Sequence, residues 1–115
     1  MSQFLFVYGT LRNHETNEMA VYLKSNAQFI GNGSVKGTLI DLGDYPGFTN
    51  QDNNIGIVTG DIFKIENSDI FSVLDEYEQS WPLYGTDAEY KRVEMNIQFM
   101  GKFLTCWIYV YNRPM

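Results

Sequence analysis

The sequence predicts an α+β domain in which about six largely antiparallel strands curve around a pocket and carry two or three short helices. Two observations predict it. Period-two alternation of apolar residues dominates the chain, and Gly, Asn and Asp interrupt it at short intervals. Against this background only two stretches show the i, i+3, i+4 spacing of a helix. The 115 residues make a single domain spanning 1–115, because a second core would have too few residues to bury.

Residues 3–8 form the first expected strand, with Phe4, Phe6 and Tyr8 on one face and Leu5 and Val7 on the other. Being apolar on both faces, it belongs in the middle of a sheet, and it stops at Gly9. Met19, Tyr22 and Leu23 mark a short helix over residues 15–25. Strands are expected at 27–31, 34–42 and 55–65, where Gly31, Gly33, Gly37, Gly56 and Gly60 supply the bulges and bends of a small closed barrel. Residues 42–48 read as a turn-rich loop, with Pro46-Gly47 suited to the centre of a type II turn. Asn67 or Ser68 caps a second helix whose Ile70, Phe71, Val73, Leu74 and Tyr77 form one apolar stripe. Residues 79–89 read as irregular. Over 90–99, Val93, Met95, Ile97 and Phe99 alternate with Arg92, Glu94, Asn96 and Gln98; Met100-Gly101-Lys102 then closes a hairpin into a return strand over 103–111.

Composition removes several function classes. Fourteen acidic against eight basic side chains give a net charge of −6 and no basic stripe, which argues against a nucleic-acid partner. The single cysteine, Cys106, has no internal disulfide partner, and with one histidine there is no Cys/His cluster for zinc, so metal catalysis is not expected. The N-terminus lacks the basic start and apolar run of a signal peptide, and no apolar stretch approaches the ~20 residues that cross a membrane. A soluble, cytoplasmic protein without a membrane partner is expected, as a monomer or weak homodimer. Eight Tyr, eight Phe and two Trp favour strands and supply amphipathic rings for a pocket.

A protein nucleophile is not apparent. Cys106 shares an apolar strand face with Leu104, Ile108 and Val110 and reads as core. His14 lies in a polar loop with nothing to pair with it, and GxSxG, GxGxxG and Walker A patterns are absent. In Leu74-Asp75-Glu76-Tyr77-Glu78, helical phase puts Glu78 on the Ile70/Leu74 line, while Asp75 and Glu76 point well away from the stripe. Partial desolvation there suits a carboxylate to general acid or base work; a frayed helix end in water, or a cap on a neighbouring loop, is the other reading of Glu78. In Val7-Tyr8-Gly9-Thr10-Leu11-Arg12 a strand runs into Gly-Thr, where a ligand can approach the backbone and free N–H groups can hold a carboxylate or oxyanion. Tyr-Gly-Thr is also an ordinary strand-terminating turn.

These segments, together with Gly37-Thr38-Leu39-Ile40-Asp41-Leu42-Gly43-Asp44-Tyr45-Pro46-Gly47, Gly60-Asp61-Ile62-Phe63, Glu89-Tyr90-Lys91-Arg92 and Trp107-Ile108-Tyr109-Val110-Tyr111, follow a familiar order. The chain resembles the γ-glutamylcyclotransferase-like superfamily, especially its γ-glutamylamine cyclotransferase and AIG2-like branch. The resemblance implies a small mixed β-barrel with short helices. It implies that Tyr8, Gly9, Thr10 and Leu11 bind the glutamyl or oxoproline group of a small-molecule γ-glutamyl substrate, and that Glu78 is the catalytic acid/base. It further implies release of an amine and 5-oxoproline by attack of the substrate's own α-amine, which needs no protein nucleophile, metal or cofactor. The chain departs from the family where Gln79 follows the glutamate in place of a frequent glycine, and where residues 79–85 precede the Glu89-Tyr90 strand. Tyr45 and Tyr111 read either as further pocket walls or as ordinary aromatics. The alternative to an enzyme is a non-catalytic small-ligand-binding or protein-interaction barrel that keeps the pocket; a purely structural domain is a third reading.

Overall fold

A computed structural model describes residues 3–8, 18–41, 46–49, 56–67, 69–77, 80–81 and 90–111. In chain order these form β1 (Phe4–Val7), α1 (Glu18–Asn26), β2 (Gln28–Asp41), β3 (Pro46–Thr49), β4 (Gly56–Lys64), α2 (Asp69–Tyr77), β5 (Ser80–Trp81), β6 (Tyr90–Phe99) and β7 (Lys102–Tyr111).

The strands run β3-β2-β4-β1-β7-β6-β5, and a further pairing of β2 with β6 at Ser34 and Gln98 closes β2, β4, β1, β7 and β6 into a five-stranded barrel. The barrel is mixed. β1 is antiparallel to β4 but parallel to β7, with Leu5 opposite Trp107, while β6 and β7 form a ten-pair antiparallel ladder. Closure satisfies the backbone of what would otherwise be edge strands. β3 lies outside the closed ring, paired to the far end of β2.

Alternation along the strands sends side chains into two separate cores. Phe6, Val35, Phe48, Val58, Ile62, Ile97, Cys106 and Ile108 pack together; all but Phe48 of β3 come from the five closed strands, so this is the barrel interior, with Phe48 packed onto it from outside the ring. Leu5, Val7, Phe63, Ile65, Tyr90 and Tyr109 point the other way and meet Leu23 of α1 and Ile70 and Leu74 of α2. β1 is apolar on both faces because it serves both cores, as its pattern predicts. Cys106 is fully buried in the interior, and desolvation pushes its thiol up to about 12.

Several elements differ from expectation. β2 is one strand of fourteen residues where two were expected. Its glycines do not break it: the ladder to β4 slips between Phe29 and Gly31, and Gly31 absorbs the bulge at φ +150. Pro46 and Gly47, expected in a turn, belong to β3 and lie opposite Asp41 and Ile40. Proline is tolerated there because β3 is an edge strand. Ser80 and Trp81, expected to be irregular, add a short parallel strand to β6. Asn67 is the α2 cap: its Oδ1 accepts the Asp69 N–H at 3.0 Å. The β6–β7 hairpin is as predicted except that Lys102 joins β7 opposite Phe99, leaving Met100 and Gly101, both at positive φ (51 and 78), as a two-residue type I′ turn.

Candidate functional site

Gly9, Thr10, Leu11 and Glu78, with His14 and Tyr45, lie outside the described residues. The site is therefore built from what holds the chain on either side of them: Tyr8, which leads into Gly9, and α2, whose last described residue precedes Glu78.

Tyr8 is half-buried at the exit of β1. Its Oη donates to the backbone carbonyl of Tyr109 and accepts the Phe48 N–H at 3.1 Å, and its ring packs 5.8 Å from that of Phe48. One phenol thus fastens β1 to β7 and to β3. Gly60 completes this junction, since a Cβ there would run into the Val7 carbonyl and the Phe6 ring.

On α2 the structure corrects the helical-phase reading of Asp75. Read as pointing well away from the apolar stripe, it is only 6% exposed, and a carboxylate buried that far needs partners. Arg92 donates to it through Nε at 2.8 Å and Nη2 at 3.1 Å, a two-pronged pair, and Tyr109 Oη donates at 2.7 Å. Arg92 and Tyr109 are direct cross-strand partners on β6 and β7, so the ladder presents both donors side by side to the helix. Arg92 is positioned in turn by aromatic rings: its guanidinium carbon sits 4.4 Å from the Phe71 centroid and 4.5 Å from that of Trp107. Phe71 lies four residues before Asp75 on α2, so one helical face supplies both a ring and a carboxylate to the same arginine.

Sequence reasoning did not single out Asp75, Arg92 or Tyr109 as members of a site, although all three stand in the motifs that carry the family resemblance. The available signal was Arg92 on the same strand phase as Tyr90, an aromatic that the structure buries under the helices. Tyr111, an open candidate for the pocket wall, packs edge-on against Tyr90 at 6.2 Å.

Tyr109 joins the two halves. Its carbonyl accepts from Tyr8 and its hydroxyl donates to Asp75, so one residue of β7 holds both the strand that runs into Gly9 and the helix that runs toward Glu78. One residue of β7 thus ties β1 and α2 together. Among the described residues no group of His, Cys, Asp and Glu is arranged to hold a metal ion, and no helix is long and apolar enough to cross a membrane.

Comparison with known proteins agrees with this architecture. The profile of the family described as γ-glutamyl cyclotransferase, AIG2-like matches residues 5–115. The chain is 32% identical over 110 residues to the γ-L-glutamyl-butirosin B γ-glutamyl cyclotransferase of Niallia circulans, covering 95% of this chain and 67% of that one. It is also 32% identical over 111 residues to the γ-glutamylcyclotransferase family protein YtfP of Escherichia coli, covering 96% and 83%. In three dimensions it superposes on an AIG2-like protein from Mus musculus with a TM-score of 0.74 at 25% identity, covering 94% of this chain and 76% of that one. The match and these relatives support γ-glutamyl cyclotransferase-type activity in general, and the chain belongs to the γ-glutamyl cyclotransferase, AIG2-like family.

Proposed function

We propose that the protein releases an amine and 5-oxoproline from a γ-glutamyl amide, with Glu78 as the acid/base and the N–H groups of Gly9, Thr10 and Leu11 binding the glutamyl moiety beside Tyr8. The observation that supports this best is the double attachment of Tyr109, which holds the chain leading to both candidate segments against one strand. The Niallia circulans relative is named for γ-L-glutamyl-butirosin B, which favours a γ-glutamylated amine here. Burial of Cys106 also favours the reading, because it removes the lone thiol as a rival nucleophile.

The reaction is intramolecular. Glu78 takes a proton from the substrate's α-ammonium, and the freed amine attacks the γ-carbonyl carbon to close a five-membered ring. The N–H groups stabilise the oxyanion of the tetrahedral intermediate. Collapse breaks the bond to the leaving nitrogen, which receives the first proton from Glu78; the second proton of the attacking nitrogen then passes through the regenerated Glu78 carboxylate to the departing amine, leaving a neutral lactam and an ammonium. Holding the substrate folded supplies much of the acceleration, because amine and carbonyl belong to one molecule. We place this chemistry in the cytoplasm, on a monomer or weak homodimer.

A panel of γ-glutamyl amines, including γ-glutamyl-amino acids and γ-glutamyl-lysine, tests the proposal through release of 5-oxoproline. Glu78→Gln keeps the shape, removes the base, and is expected to cut turnover by about 10³-fold. Equal turnover by the variant contradicts the assignment. Gly9→Val is expected to abolish 5-oxoproline binding by filling the space of the close backbone approach, and undiminished binding contradicts that contact.

A further inference from the structure

We infer that Tyr109 is a positioning residue for this reaction, dividing the task between its two polar groups: its side chain sets the acid/base through Asp75 and α2, and its backbone sets the substrate-binding strand exit through Tyr8. The inference rests on the proposed cyclotransfer and adds to it a residue that acts through Asp75 and Tyr8.

Three observations carry it. The Tyr109 hydroxyl and the two guanidinium nitrogens of Arg92 together place three donors on the two oxygens of Asp75, which fixes the rotation of α2 about its axis as well as its distance from the ladder. Asp75 stands three residues before Glu78 in the sequence, so a constraint on its carboxylate acts on the backbone that delivers Glu78. On the other side, the Tyr8 hydroxyl reaches the Tyr109 carbonyl, one residue before Gly9. The two attachments use different atoms and are therefore separable by substitution.

Tyr109→Phe removes the hydroxyl but leaves ring and carbonyl. Of the described partners of Asp75 only Arg92 then remains, and α2 can turn, while the Tyr8 attachment persists. Catalytic geometry is sensitive to displacements of about 1 Å, so kcat is expected to fall by about 10- to 100-fold, with Kd for 5-oxoproline changed less than about twofold. Tyr8→Phe is expected to do the converse, weakening 5-oxoproline binding by about tenfold or more through loss of the β1 anchor, with a smaller effect on kcat at saturating substrate. Arg92→Lys, which keeps the charge but loses the planar fork, is expected to lower kcat in the same sense as Tyr109→Phe.

Steady-state kinetics on a γ-glutamyl amine, 5-oxoproline titration and thermal melts on the full-length protein test this together. Ile97→Val, a trimming of the barrel interior on the other face of the sheet, serves as the stability control and should lower Tm while leaving kcat and Kd unchanged. Opposite splits for Tyr109→Phe and Tyr8→Phe support the inference. If Tyr109→Phe lowers Tm yet keeps the parent's kcat, while Glu78→Gln is inactive, Tyr109 is a structural tie only and the inference is overturned with the cyclotransfer reading intact. A parent protein that releases no 5-oxoproline from any member of the panel overturns the reading and the inference together. Should Tyr109→Phe not fold, Arg92→Lys decides the α2 arm: an unchanged kcat overturns it.

Discussion

The hydroxyl of Tyr109 donates to the carboxylate of Asp75 at 2.7 Å, joining a strand and a helix that are 34 positions apart in sequence. With Arg92 on the same carboxylate, it forms a buried polar unit between the barrel wall and α2. A unit of this kind is costly to break on one side, because the partner left behind is a charge without compensation.

Arg92→Met is therefore expected to destabilise the protein by about 3 kcal/mol, while the double substitution Arg92→Met with Asp75→Asn recovers part of the loss. Urea denaturation of the two single variants, the double variant and the parent gives the coupling directly. Additive effects would show that the pair is not a unit.

Gly60 packs against the Val7 carbonyl and the Phe6 ring, and no rotation of a methyl relieves that contact. Gly60→Ala should cost about 1–3 kcal/mol by forcing β1 and β4 apart. Chemical denaturation checks this, and a neutral result would mean that the β1–β4 junction is looser than described.

Burial of Cys106 raises its thiol from an ordinary value of 9.0 to about 12. Between those values the unfolded chain gives up a proton that the native protein keeps, so stability falls as pH rises from 9 to 12; below 9 both states are protonated and the thiol contributes no slope. Comparing the alkaline stability profile with that of Cys106→Ala isolates the effect: the parent should show the steeper decline. The native thiol should also resist alkylation at pH 8, as followed by mass spectrometry.

Sequence periodicity reads local structure well and long-range partners poorly. The β6–β7 hairpin is legible because its alternation is strict and its strands are joined by two residues. The two-core role of β1 is legible for a similar reason, since Phe4 to Val7 are apolar on both phases. β3 is not, because Pro46-Gly47 carries turn chemistry locally and becomes a strand only through its pairing with Ile40 and Asp41. Nor do the glycines of β2 reveal that one bulge at Gly31 suffices to keep the strand continuous. Asp75 is the clearest case: helical phase measured from the Ile70/Leu74 line turns it away from the stripe, and its burial follows only once Arg92 and Tyr109 are known to stand side by side on the ladder. The sequence offers Tyr8 and Glu78 as candidates but gives no sign that Tyr109 holds both β1 and α2.

Met100 occupies a left-handed conformation in the type I′ turn and is 84% exposed, so its side chain contributes little packing to offset the strain. Met100→Asn creates the Asn-Gly pair this turn favours and should stabilise the protein by about 1 kcal/mol. A thermal melt reads the gain, and a loss would contradict the assigned turn.

The most direct test of the central claim follows the fate of the substrate's α-nitrogen. A γ-glutamyl amine carrying heavy nitrogen at the α-position is incubated with the protein, and the products are resolved by mass spectrometry. Intramolecular cyclisation predicts that all of the label appears in the ring of 5-oxoproline, with the leaving amine unlabelled and product formation lost in Glu78→Gln. Label recovered in free glutamate, the product of hydrolysis by water, or product formation that survives Glu78→Gln, would contradict the account.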